Sequence, residues 1–143
     1  MATISEPLRQ LLATGPLATV ITLNLDGTPH VTLAWAGFDG DELVMATMFN
    51  LEQRKLRNLR RDPRVVLSFQ AKEHSGPDLW PYAVLECRVD RIVEGGALAV
   101  MDMLAENYIG PGQVFPMRDV PEGVVVYLTV DRVYGQGPWA KGG

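Results

Sequence analysis

One cysteine, two histidines and no long apolar run set the first limits on this chain. Cys87 stands alone, which excludes an intrachain disulfide, and its place in an alternating pattern predicts a buried thiol. His30 and His74 with a single cysteine fall short of the usual zinc ligand set. There is no Walker A loop, no G-x-S-x-G and no G-x-G-x-x-G, so the chemistry is expected to come from a borrowed cofactor. No run reaches the roughly 18 apolar residues of a membrane span. The N-terminus, M-A-T-I-S-E-P, lacks the basic and apolar regions of a secretion signal, so a cytoplasmic chain is expected. Positive charge is scarce as well. Thirteen Lys and Arg face 17 Asp and Glu, and a net charge of -4 argues against a nucleic-acid binder.

What is present is a hydrophobic fraction of 47% in 143 residues, enough for one domain, residues 1–143, with one core. Ser5 caps a short helix ending near Ala13, with Pro7 in its first turn. Leu17–Leu25 is rich in β-branched residues and reads as a strand. Asp26-Gly27 is a hairpin signal, and His30–Ala36 returns as a second strand. On it Val31, Leu33 and Trp35 take one face, and His30, Thr32 and Ala34 take the other. The second face is small and polar, which predicts room for something beside it. Phe38-Asp39-Gly40-Asp41 reads as a turn, Glu42–Met48 as a third strand, and Val65–Gln70 as a fourth. Ala71–Leu79 reads as a polar hairpin tip, Trp80–Ile92 as a fifth strand, and Gly95–Tyr108 as an amphipathic helix stopped by Gly110-Pro111. Pro111–Pro121 is irregular, Val124–Val133 is a sixth strand, and Tyr134–Gly143 reads as a loose tail. Hairpins without a βαβ rhythm predict a mainly β, antiparallel barrel with added helices.

The one dense cationic segment is Asn50–Arg64, N-L-E-Q-R-K-L-R-N-L-R-R-D-P-R. Asn50 reads as an N-cap with Gln53 three residues on, and Asp62-Pro63 as the stop. On a helical wheel Leu51, Leu59 and Leu56 fall at ~0°, ~80° and ~140°, an apolar stripe. The arginines lie elsewhere. Lys55 falls at ~40°, on the stripe itself, where a lysine must snorkel or find an anion. A strand ending in Thr47 leads into this helix, so Thr47, the N–H groups near Leu51–Gln53 and Lys55 are placed where they could together hold a phosphate, the alternatives being a snorkelling Lys55 and an ordinary strand role for Thr47.

The strings D-G-T-P-H, F-D-G-D, K-L-R-N-L-R-R-D-P-R at Lys55–Arg64 and V-D-R-V-Y-G at Val130–Gly135 resemble the flavin-reductase-like split β-barrel family. Its members are similar to pyridoxamine-phosphate oxidase, and the last string is similar to the actinobacterial branch that uses the deazaflavin coenzyme F-420. The resemblance implies a six-stranded antiparallel split barrel, a homodimer, and a cofactor at the dimer interface. It puts the phosphate on Thr47 and Lys55, and the ring near Thr32, Leu33, Ala34, Ala46 and Met48. It implies Trp80 and Trp139 of a partner subunit closing the site. Deazaflavin-using members often carry an arginine two residues before the lysine; Gln53 stands there, with Arg54 next to it as a substitute. The implied activity is hydride transfer between reduced F-420 and an unsaturated or conjugated small molecule. FMN in a pyridoxamine-phosphate-oxidase-like oxidoreductase is the alternative, as is a non-catalytic cofactor-binding protein. Members also bind haem. No residue is assigned to deliver a proton.

Overall fold

A computed structural model of the chain describes residues 2–73 and 80–140. The helices are α1 (Glu6–Ala13), α2 (Arg54–Arg61) and α3 (Ala97–Tyr108). The strands are β1 (Ala18–Leu23), β2 (Pro29–Ala34), β3 (Gly37–Asp39), β4 (Glu42–Thr47), β5 (Arg64–Gln70), β6 (Tyr82–Glu94) and β7 (Val124–Gln136). A 3-10 turn follows at Pro138–Ala140.

All pairings are antiparallel, and the described strands form one sheet in the order β2-β1-β5-β6-β7-β4-β3. The sheet therefore has seven strands, not the expected six, and it does not close: β2 and β3 are free edges. The added strand is β3, read from sequence as part of a turn. Phe38 and Asp39 pair with Leu43 and Glu42 across a loop of only Gly40 and Asp41. Gly40, at φ 63°, supplies the positive φ that a glycine-first two-residue hairpin needs. The tail is also more ordered than expected. β7 runs on through Tyr134 to Gln136, and only residues 141–143 lie outside the description there. Residues 74–79 of the β5–β6 connection likewise lie outside it.

The two longest strands, β6 and β7, are paired along their length with two register shifts, one skipping Asp131 and one skipping Asp90. Bulges of this kind bend a ribbon and curl the sheet. Both skipped aspartates are used. Asp131 takes a two-pronged bond from Arg88 at 2.6 and 2.9 Å, and Asp90 accepts from Arg91.

The curled sheet encloses Val20, Leu43, Met45, Leu67, Phe69, Leu85, Val126 and Leu128. Leu56 and Leu59 of α2 complete one end of this core, and Leu8, Leu11 and Leu12 of α1 with Trp139 complete the other. α3 lies outside the curl against β4 and β7, burying Ala97, Leu104 and Ala105. A side chain at Gly123 would stand 2.2 Å from the Thr47 carbonyl, so this glycine lets the start of β7 press against the end of β4.

Candidate functional site

The Asn50 segment is divided differently from its sequence reading. α2 begins at Arg54, with Gln53 as an N-cap that makes no side-chain bond. Asn50 does not cap it. Asn50 sits at φ 52°, and its carbonyl accepts from Gln53 N–H at 3.0 Å, closing a turn before the helix. Asparagine tolerates this left-handed conformation, which is why the same residue suits a turn as well as a cap. Leu51 accordingly falls outside the helix and is exposed.

The inward face of α2 nevertheless carries the residue the wheel singles out. Lys55 is 8% exposed beside Leu56, Asn58 and Leu59. It makes no hydrogen bond or ion pair among the described residues. Burial alone pulls its ammonium below the usual lysine range. Asn58, one turn on, is the opposite case. Its amide donates to Thr22 Oγ1 and to Asn24 Oδ1, each at 3.1 Å, and its oxygen accepts from Arg61 at 3.3 Å. These bonds fix α2 across β1 and the β1–β2 turn. Asn58 was missed from sequence, although its wheel position, at ~340°, borders the apolar stripe.

Thr32 stands opposite Val20 of β1, whose side chain is fully buried, so Thr32 belongs to the inner face. Its hydroxyl is buried with no hydrogen-bond partner, unlike every other buried side-chain N or O among the described residues. Ala34, opposite Ala18, shares that face and packs on the core. The space expected beside this face is thus the interior and α2, and not an outer groove. Leu33 points the other way and is 62% exposed. Thr32, Leu33 and Ala34 therefore do not present one common surface; what they share is the free backbone edge of β2.

On β4, Thr47 pairs with Val124 on the inner face, at the end that leads into α2. Ala46 pairs with Val125 on the opposite face, the one α3 covers, and Met48 is buried next to Gly123. Gln53 is half-buried. Arg54 does not join Lys55; it lines an outer groove with Arg57 and Arg61. Trp139 is 9% exposed in the core of its own chain, its indole donating to the Tyr82 carbonyl at 2.7 Å.

The outer face of the sheet holds a broad groove of about 740 Å³, with Leu17, Leu33, Trp35, Ser68, Trp80 and Tyr108 among its walls. Trp35 stacks on Tyr108 at 4.9 Å and meets Phe115 edge-on at 6.0 Å. The Tyr108 hydroxyl donates to the Pro16 carbonyl at 2.6 Å and accepts from Ala36 N–H at 3.1 Å. Burial pushes its pKa up to about 12. Trp80 donates from its indole to the Ala71 carbonyl. Among the described residues no cluster of three His, Cys, Asp or Glu side chains offers a metal site, and no helix is long and apolar enough to cross a membrane.

Set beside known proteins, residues 4–137 match the model of a family described as pyridoxamine 5'-phosphate oxidase. The chain belongs to that family. No curated protein matches it. Solved structures share its fold, among them the following three. One named an F-420 reductase is 24% identical with a TM-score of 0.72, aligned over 93% of this chain and 100% of the other. A heme binding protein from Mycobacterium smegmatis is 25% identical with a TM-score of 0.66, over 100% of this chain and 57% of the other. An FMN-binding protein from Syntrophomonas wolfei is 11% identical with a TM-score of 0.65, over 90% of this chain and 83% of the other. For a member of the pyridoxamine 5'-phosphate oxidase family, three features of this chain fit a phosphorylated ring cofactor. They are a buried lysine without a counter-ion, an uncapped helix start beside it, and an orphaned threonine hydroxyl on an edge strand.

Proposed function

We propose that this protein is an oxidoreductase that binds coenzyme F-420, with FMN as the alternative, along the open edge of β2. The observation that carries the reading is Lys55. A largely buried lysine whose ammonium has no counter-ion is costly, and the cost is offset when an anion binds it. Lys55 and the uncapped N–H groups of the first turn of α2 hold the phosphate, with Thr47 at the end of β4 as a further hydroxyl donor. The unpaired backbone groups of β2 orient the ring. When bound, the cofactor supplies hydride transfer to an unsaturated or conjugated small molecule. The chain's part is to hold the two reactants near van der Waals contact and keep water out. No side chain acts covalently.

A second subunit belongs to this reading. Val31 and Leu33 of β2, Leu17, Trp80, Tyr82 and Tyr134 leave a wide apolar face exposed on one side of the sheet. A homodimer packed on it covers that surface and walls the ring groove, with Trp80 as a contact.

Titration of the purified protein with F-420 and with FMN, followed by fluorescence, tests the reading. Binding of F-420 is expected, and Lys55→Ala weakens it by roughly ten- to a hundredfold, as for a charge-assisted contact worth about 1.5–3 kcal/mol. Binding of FMN but not F-420 moves the assignment to the alternative. Unchanged affinity in Lys55→Ala removes Lys55 from the site. Sedimentation of the cofactor-free chain as a monomer at micromolar concentration refutes the dimer.

A further inference from the structure

The irregular segment after α3 is held mainly at one residue. Among the described residues, Val114 to Pro121 makes no backbone–backbone hydrogen bond. Its Val114 and Met117 side chains are each 51% exposed, so they do little to seat it. Phe115 is half-buried, with its ring edge-on to Trp35 at 6.0 Å. Both backbone groups of Phe115 are gripped by side chains. Its N–H donates to Asp102 Oδ1 of α3 at 2.9 Å, and its carbonyl accepts from Arg118 at 3.0 Å. Arg118 in turn forks onto Asp102 at 2.7 and 3.2 Å, which closes a ring of bonds around Phe115. Glu106, one turn on from Asp102, accepts from the Gly112 N–H at 3.1 Å and fixes the start of the segment. The segment is a strap hung from two carboxylates of α3.

What the strap holds is a wall of the outer groove. Trp35 lines that groove, and Phe115 and Asp102 do not. The Trp35 ring is pinned from two directions, stacked on Tyr108 and met edge-on by Phe115. Tyr108 is fixed by its own hydroxyl bonds to Pro16 and Ala36, so Phe115 is the contact that depends on the strap. The groove itself suits a flat, conjugated molecule. It has two indoles in its walls, Leu33 stands 62% exposed there, and none of its lining residues is acidic. An aromatic wall gives most affinity when its ring is already held, because ordering it on binding costs free energy. An exposed ion pair such as Asp102–Arg118 adds little to global stability, so its convergence on Phe115 is better explained by placement than by stability.

We infer that Asp102 is a positioning residue for this groove: acting through Phe115, it holds Trp35 as the stacking wall for a flat, conjugated ligand. Naming that ligand as the hydride acceptor rests on the function proposed above; the hold on Trp35 does not. Arg118 is the second half of the latch, since it ties the Phe115 carbonyl to the same carboxylate.

The test titrates the full-length, cofactor-free protein with anthraquinone-2-sulfonate, a flat conjugated probe, read by quenching of tryptophan fluorescence. Near-UV circular dichroism follows the Trp35–Tyr108 stack. Saturable binding is expected. Asp102→Ala should weaken it roughly fivefold or more and change the near-UV spectrum, while the thermal midpoint moves by less than about 4 °C. Arg118→Gln, which alters only an exposed side chain, should weaken binding in the same direction and keeps the test open should Asp102→Ala fold poorly. Phe115→Ala should match Asp102→Ala, and the double variant should lose no more than either, because the two act in series. Asp131→Ala, which breaks a two-pronged pair with Arg88 elsewhere, should stay within about twofold. No saturable probe binding, native affinity in both Asp102→Ala and Arg118→Gln, or additive losses in the double variant overturns the inference. Titrations with F-420 and FMN run alongside. Probe binding that falls in Asp102→Ala, in a protein that binds neither cofactor, leaves the latch standing and sinks the cofactor reading. Cofactor binding with probe affinity unchanged in the latch variants does the opposite.

Discussion

The two ends of α2 face the same interior and are treated in opposite ways. At the C-terminal end the buried polar side chain is engaged. Asn58 is bonded to Thr22, Asn24 and Arg61, and Asp62 binds Arg64 through its side chain at 2.9 Å and through the Arg64 amide at 3.1 Å. At the N-terminal end the helix is uncapped and Lys55 is buried without a partner. Asn58 and Lys55 are both buried and polar, so solvent does not account for the difference between them. A satisfied buried group holds a helix in register; an unsatisfied one is a standing cost that persists where a ligand removes it.

The sharpest way to break this contrast is Asn58→Ala. It leaves the buried Thr22 hydroxyl and the Asn24 carbonyl oxygen short of a donor, and unfolding in urea is expected to show a loss of about 2–3 kcal/mol. Lys55→Met should move the other way. Removing an unpaired buried charge while keeping the aliphatic stem is expected to raise the stability of the cofactor-free protein by about 1 kcal/mol. A loss comparable to that of Asn58→Ala identifies Lys55 as structural. Thr32→Val replaces an orphaned hydroxyl by a methyl of similar shape, and a gain below about 1 kcal/mol is expected without cofactor. Native-state alkylation of Cys87 should be absent, because the thiol is 5% exposed and burial pushes its pKa up to about 12. The smallest effect concerns the Asp62–Arg64 junction. Arg64 hydrogen bonds hold Asp62 at about 2, below its ordinary 3.8. A carboxylate with a lowered folded pKa contributes stability above the ordinary value and loses it as pH falls through the folded one. Asp62→Asn should therefore flatten the acid limb of a stability profile between pH 3.8 and 2.

Much of this was legible in the sequence because it follows from periodicity. The inward position of Lys55 needed only the spacing of Leu56 and Leu59, and the β1–β2 hairpin needed only Asp26-Gly27. What was hidden depended on contacts far along the chain or on residues with two local uses. Asn50 serves caps and left-handed turns alike, so three residues of helix, Leu51 to Gln53, were anticipated where a turn stands. β3 is three residues long and is a strand only because Leu43 lies opposite Phe38. Thr32, Leu33 and Ala34 were grouped by what the family resemblance implies, although on a strand such neighbours part to opposite faces. Trp139 follows a glycine-rich stretch with no periodic signal. Its place depends on Gly137, where a side chain would stand 2.4 Å from the indole, and on the distant carbonyl of Tyr82.

The place of β7 in the sheet has a consequence for how the chain is made. β4 lies between β3 and β7, and its residue Leu43 pairs with Leu128, which is synthesised 85 positions later (128 − 43). Until then the β3–β4 hairpin has no other strand beside it, and an isolated hairpin is marginal in water. A nascent chain halted before Val124 thus holds β1, β2, β5 and β6 in one group and β3–β4 in another, with no strand to join them into one sheet. Folding of this protein waits on its last strand, so its slow step and its exposure to misassembly fall at the end of synthesis.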